Sequence, residues 1–238
     1  MIGARKEGGT MLVENWMNPK VITVDANDSM LDATKLLKEH QIRHLPVLKN
    51  GELVGIITDR DLKRASPSDA TSLEAHELLY IVANIKVGEI MTKNPITVPY
   101  NYTVEEAAEV LMKHRISGMP VVDKEGKVVG TITQTDIFRV LLSLTGLSTR
   151  GIHFAFLLED RPGSIKDVTD VIRKYGGRLA SILSSYERAP AGHRHVFVRA
   201  YGVNREKLAD LKQELKKAAK KFLYMVDLRE NKREIYAG

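Results

Sequence analysis

The chain of 238 residues contains no cysteine. Disulfides, thiolate nucleophiles and zinc-thiolate centres are therefore excluded, and a reducing cytoplasm is the expected location. No apolar run approaches the roughly 20 residues that a membrane-spanning helix needs, so no membrane partner is expected. The opening stretch, "MIGARKEGGT", carries charge with no apolar core behind it, so it reads as a flexible leader over residues 1–10 and not as a secretory signal. Enzyme signatures are missing too: there is no nucleophile-base pairing, no GxxxxGK[ST] loop and no credible metal-ligand cluster. His153, His193 and His195 are expected to face solvent, so neither a metal site nor catalysis is expected.

What is present is ordinary globular material, with a hydrophobic fraction of 43% and a charged fraction of 28%, which argues against disorder. The length suits two domains or three small ones. Of the formal charge of +6, residues 204–238 supply ten Lys or Arg against six Asp or Glu. That tail reads as a solvated helix face, so nucleic acid is not an expected partner.

The chain repeats itself. "MNPKVITV" from Met17 recurs as "MTKNPITV" from Met91, a shift of 74, and Ser29–Leu48 keeps that shift against Thr103–Val122. After one inserted residue, "GELVGIITDRDL" matches "GKVVGTITQTDI". Each copy carries a capping signature, Ser29-x-x-Asp32 and Thr103-x-x-Glu106, which predicts a helix start. Ala33, Leu36, Leu37 and His40, echoed by Ala107, Val110, Leu111 and His114, recur at helical spacing. An apolar strand, a glycine turn, a second strand and a closing helix follow, giving strand-helix-strand-strand-helix in each copy. Between them lies a polar linker in which Thr71-x-x-Glu74 is expected to cap a helix.

These residues resemble a tandem of cystathionine-beta-synthase (CBS) domains, a pair of which forms a regulatory Bateman module. The motif carrying the resemblance is Gly-h-h-Thr-x-x-Asp, with h apolar, present as Gly55-Ile-Ile-Thr58-Asp-Arg-Asp61 and again as Gly130-Thr-Ile-Thr133-Gln-Thr-Asp136. An acidic residue where a strand meets a helix can accept both ribose hydroxyls, while Thr and the first helical amides face a phosphate. The resemblance implies that Asp61 and Asp136 hold ribose, with Thr58 and Thr133 near phosphate. It also implies that Ile22 and Ile42 border the site of Asp136, and Ile96 and Ile116 that of Asp61. The residues beside phosphate differ between copies, Arg43-His44 against Ser117-Gly118, and Arg60 against Thr135. The first copy is the more basic, so unequal sites are expected. The competing reading is that each Thr and Asp only caps its helix.

From Gly151 the pattern changes to strand-helix-strand-strand-helix-strand, a ferredoxin-like order. Residues 151–230 resemble an ACT domain through Asp160-Arg161-Pro162-Gly163-Ser164-Ile165, which follows an apolar strand. That resemblance implies side-by-side pairing in a homodimer and an amino acid at the seam; Arg178, where many amino-acid-binding members carry Asn, departs from it. A ligand-free dimerisation module is the alternative.

The expected fold class is thus α/β (α+β): two β-α-β-β-α repeats packed as a pseudo-twofold pair, then a βαββαβ domain. The expected boundaries are CBS repeats at 11–66 and 87–145, a linker at 67–86, an ACT domain at 151–230 and a tail at 231–238. Two CBS repeats followed by an ACT domain resemble the acetoin-utilisation protein B family. The implied function is non-catalytic: a sensor of an adenine nucleotide of the AMP, ADP or ATP class, with or without Mg²⁺, that passes its state to a protein partner. A ligand-free interaction scaffold and a DNA-binding regulator are the alternatives.

Overall fold

A computed structural model of the chain describes residues 10–66 and 75–236. Nearly all of the expected leader, and the Thr71-x-x-Glu74 cap, lie outside those residues. The chain forms two compact units, Met1–Phe138 and Arg139–Gly238.

The first unit begins with a short turn of helix, α1 (Val13–Trp16), followed by β1 (Val24–Asp25), α2 (Met30–Glu39), β2 (His44–Lys49), β3 (Glu52–Thr58) and α3 (Asp59–Ala65). After α4 (Ala75–Asn84) the sequence of elements recurs: α5 (Val87–Ile90), β4 (Thr92–Lys93), β5 (Val98–Pro99), α6 (Val104–Lys113), β6 (Gly118–Val122), β7 (Val128–Thr133) and α7 (Gln134–Leu144). Both expected capping boxes form: Ser29 and Asp32 exchange hydrogen bonds at the start of α2, as do Thr103 and Glu106 at α6. Each satisfies two amides that a helix start leaves without partners.

In each repeat a short strand runs parallel to the next, which pairs antiparallel with a third: β1-β2-β3 and β5-β6-β7. Each core is a band of aliphatic side chains between sheet and helices. Leu45, Val47 and Ile57 are fully buried in the first, as are Val121, Ala107 and Ile132 in the second. Each fully buried Val, Leu or Ile stabilises the fold by about 1.5–3 kcal/mol.

The repeats do not stand side by side as closed units, because their leading segments are exchanged. Val13 of α1 and Met17 pack into the core of the second repeat, whereas Val87 of α5 and Met91 pack into that of the first. Backbone pairing follows the same rule. Thr92 and Lys93 of β4 pair with Ile56 and Gly55 of β3, and Asn18 bridges to Thr131 of β7. The apolar residues of each leading segment find their buried surface on the other repeat, an exchange that the repeat pattern in the sequence does not reveal.

The second unit begins at Arg139, inside α7. It continues through β8 (Ile152–Glu159), α8 (Ser164–Lys174), β9 (Arg178–Ser185), β10 (His193–Tyr201), α9 (Leu208–Ala218), β11 (Lys221–Asp227) and β12 (Lys232–Ile235). The sheet order is β12-β11-β8-β10-β9, with every pair antiparallel. The first six elements have the β-α-β-β-α-β succession of ferredoxin-like units. The expected tail is instead a fifth strand, in which Lys232–Ile235 pair with Asp227–Tyr224.

Alternation along β8 puts Phe154, Phe156 and Leu158 on the helix-covered face, where Val168 and Ile172 of α8 and Leu211 and Leu215 of α9 meet them. The basic residues of the tail are partly engaged within the unit. Lys212 donates to Glu234 at 2.6 Å, and Lys216 lies 4.8 Å from the centre of the Tyr236 ring. Among the described residues no helix is long and apolar enough to cross a membrane.

Candidate functional site

The two repeated motifs end at equivalent strand-to-helix junctions. Asp61 lies within the first turn of α3, which begins two residues earlier at Asp59, and turns its carboxylate back onto Thr58. Its Oδ2 accepts from the Thr58 amide (3.0 Å) and hydroxyl (2.8 Å), while the Asp61 amide donates to the Thr58 hydroxyl (3.3 Å). The second junction repeats this: Asp136 Oδ2 accepts from the Thr133 amide (3.0 Å) and hydroxyl (2.6 Å). The capping reading is therefore realised at both positions.

Capping constrains any ligand chemistry. A threonine hydroxyl has one donor hydrogen, and here the carboxylate takes it. A phosphate oxygen can receive that hydrogen only by drawing the hydroxyl off the aspartate, which releases Oδ2 for a sugar hydroxyl. Asp61 is half-buried, and its Oδ1 makes no hydrogen bond among the described residues. Asp136 is buried at 6% exposure.

Basic residues gather at the first junction. Arg43, Arg60, Lys63 and Arg64 are exposed, and the Arg43 carbonyl accepts the Asp59 amide at 3.2 Å. At the second junction the Ser117 carbonyl accepts the Gln134 amide at 3.0 Å, and Thr135 is exposed. His44 crosses between repeats, its Nε2 lying 2.9 Å from the Ser117 hydroxyl. Burial lowers its pKa below the usual histidine range; Asp59 and Asp61 oppose the shift, and Arg43 and Arg60 add to it. Ile22 and Ile42 pack against the core of the first repeat and Ile116 against that of the second, while Ile96 is exposed. Their assignment to the opposite repeat's aspartate remains part of the proposal.

In the second unit, Gly163 has φ +87 and precedes α8, a conformation that suits glycine. Arg161 pairs with Asp167 (2.7 Å) and Glu159 (3.4 Å), so it is held on the surface by its own neighbours. Pro162 is exposed beside it, Ile165 packs on the core, and the Ser164 hydroxyl, almost fully buried, accepts from Arg194 at 3.2 Å. The buried Nε of Arg194 makes no hydrogen bond among the described residues but lies at ion-pair distance, 3.7 Å, from Asp160 Oδ1. The sequence reading missed Arg194. Alternation could have found it, since it shares a face with Val196 and Val198, where an arginine needs a reason.

Arg199 was missed as well. It is buried, donates from Nε to the Thr145 carbonyl at 2.6 Å, and stands opposite His153 across β8 and β10. The expectation that His153 faces solvent is corrected: it packs edge-on to Tyr224 at 5.5 Å. Burial, reinforced by Arg199, lowers its pKa to about 4.

Two repeats that share sheets through exchanged leading segments, each ending in a Thr-x-x-Asp junction, define a CBS pair. The CBS domain profile matches residues 13–68 and 87–143. A CBS domain-containing protein of Dictyostelium discoideum is 34% identical over 135 residues, covering 56% of this chain and 93% of that protein. The chain belongs to the CBS domain family. It is also 37% identical over 130 residues to the L-aspartate semialdehyde sulfurtransferase of Methanocaldococcus jannaschii, covering 54% of this chain but only 23% of that enzyme. Among solved structures, the CBS domain of a membrane protein from Sphaerobacter thermophilus is similar, with a TM-score of 0.50 and 28% identity over 56% of this chain and 89% of that one.

Proposed function

We propose that the chain is a non-catalytic regulatory protein whose CBS pair binds an adenine nucleotide of the AMP, ADP or ATP class and presents the bound state to a protein partner. The observation that carries this reading is the twin junction, above all Asp61. Its unengaged Oδ1 stands half-buried on the same short helix as exposed Arg60, close in sequence to Lys63 and Arg64. A carboxylate for sugar hydroxyls and cations for phosphate are the groups a nucleotide requires. The sulfurtransferase supports an accessory role, since the matching stretch is a minor part of that enzyme.

The second unit serves as an ACT-type module, pairing two copies in a homodimer or holding an amino acid near Asp160, Gly163 and Ser164. Arg194 is the cation there that suits a carboxylate. The absence of cysteine suits a cytoplasmic protein, and the order of modules suits the acetoin-utilisation B family, hence a partner in acetoin or acetate metabolism.

A ligand-free scaffold is the second reading, favoured by the capping boxes, in which Thr58 and Asp61 satisfy each other. Thermal melting with AMP, ADP, ATP, NAD and S-adenosylmethionine separates the two. A ligand at a hundred times its Kd stabilises by about 2.7 kcal/mol, which raises Tm by several degrees. Asp61→Ala combined with Asp136→Ala should remove that rise. Wild-type protein that responds to none of the five is a scaffold.

A further inference from the structure

His44 occupies a singular position. It pairs across β2 and β3 with Thr58, the threonine of the first junction. Its ring also reaches into the second repeat, where a Cβ on Gly118 would meet His44 Cε1 at 3.1 Å, His44 Nδ1 at 3.2 Å and Thr133 Cγ2 at 3.1 Å. Gly118 pairs with Thr133, the threonine of the second junction. Glycine at 118 thus leaves room for the imidazole, which a Cβ there would crowd. The copies cannot do this symmetrically, because the position equivalent to His44 is Gly118 itself.

We propose that His44 is a phosphate-charge sensor shared by the two junctions, taking up one proton from solvent when the phosphate tail of an adenine nucleotide docks beside it. This rests on the nucleotide reading above. A neutral imidazole whose Nε2 donates to Ser117 presents a lone pair at Nδ1, which repels a phosphate oxygen. In the protonated ring Nε2–H still donates to the Ser117 hydroxyl, and Nδ1–H and a full positive charge become available to the phosphate. The groups facing the ring are Thr58, Asp59, Arg60 and Asp61 from β3 and α3, Arg43 beside it, and Ser117, Gly118 and Thr133 from the second repeat. Burial, with Arg43 and Arg60 adding to it and Asp59 and Asp61 opposing it, disfavours the charged ring in the free protein; an arriving phosphate acts in the opposite direction.

Docked phosphate raises the pKa of His44, so the added affinity is complete below the free-protein value. It declines as pH rises and is lost above the bound-state value. A shift of one unit corresponds to about tenfold in ADP affinity between those limits. The test uses the full chain, with ADP and adenosine as probes. Calorimetry at pH 6.5 in two buffers of different ionisation heat counts protons, and the imidazole resonances of His44 are followed by NMR with and without ADP.

Wild type should take up protons with ADP and none with adenosine, and its His44 pKa should rise on ADP binding. His44→Asn should lose that uptake and leave only the protons that ADP's terminal phosphate releases on docking beside cations, and Ser117→Ala should reduce the uptake. ADP binding with equal uptake in wild type and His44→Asn, or with an unmoved His44 pKa, overturns the sensor and leaves the nucleotide reading intact. Failure of both probes to bind wild type overturns both.

Discussion

The side chain of Met91 lies across Gly55, so close that a Cβ at 55 would overlap its sulfur and come within 3.0 Å of the Thr92 carbonyl. Met17 covers Gly130 in the same way. The glycine that opens each Gly-h-h-Thr-x-x-Asp motif is therefore required by the neighbouring repeat, whose leading segment crosses the strand there. No unusual backbone angle is involved, since neither glycine has a positive φ.

Gly55→Ala and Gly130→Ala should each destabilise the first unit by about 1–3 kcal/mol, the range for overpacking. Urea midpoints measure this, and an unchanged midpoint would show that the methionine and the crossing backbone yield freely. Met91→Ala placed beside Gly55→Ala should recover part of the loss, since it removes the overlapping sulfur but not the carbonyl.

Capping and binding at Asp61 can be separated. Asp61→Ala should cost about 1 kcal/mol without ligand and abolish the ADP-induced rise in Tm. Ser29→Ala removes an equivalent box from α2, so it should cost a similar amount yet keep the ADP response. If both variants still respond to ADP, Asp61 is only a cap.

Asp227 is almost fully buried, and Arg205 grips both of its oxygens at 2.9 and 3.1 Å. Burial alone would raise the carboxyl pKa, but Arg205 and the amides of Glu230 and Arg229 outweigh it and hold the pKa below the ordinary value. This stability is present above the ordinary carboxyl range and is lost as pH falls through the folded-state value. Arg205→Ala should cost about 3 kcal/mol by leaving a buried charge unpaired, and should move acid unfolding of the second unit to higher pH. Circular dichroism against pH reads both effects.

His153 predicts a second pH dependence, with a wider window. Its folded pKa of about 4 lies below the ordinary histidine value of 6.5, so the unfolded chain binds more protons between those limits. Stability of the second unit should therefore rise with pH from about 4 to 6.5 and then level. His153→Gln should flatten that slope. A variant with the wild-type slope would place the proton elsewhere.

Much of the fold was legible because its signals are local. Ser29 with Asp32, and Thr103 with Glu106, are three residues apart and need no tertiary context to close a box. The apolar run "HFAFLLE" likewise announced β8. The strand at Lys232–Ile235 was not legible: three of its four residues are charged, and it exists only because β11 offers an edge. Of the candidate site, the Thr and Asp positions could be read from the repeat. Arg194 could have been, from the alternation of β10, but the Arg199–Thr145 and His44–Ser117 bonds could not, because each depends on which segments become neighbours.

By itself the sequence determined that there are two copies of one strand-helix-strand-strand-helix unit, where the first long helix of each copy begins, and that both copies carry the same Thr-x-x-Asp turn. Those properties follow from periodicity and from contacts within a few residues. Only the tertiary structure decided that the leading segments are exchanged, that glycine is needed at 55 and 130 because a methionine passes over it, and that His44 of the first repeat meets Ser117 of the second. The physical reason is that burial is satisfied wherever apolar surface is available, and for residues 11–18 and 86–93 that surface belongs to the other repeat.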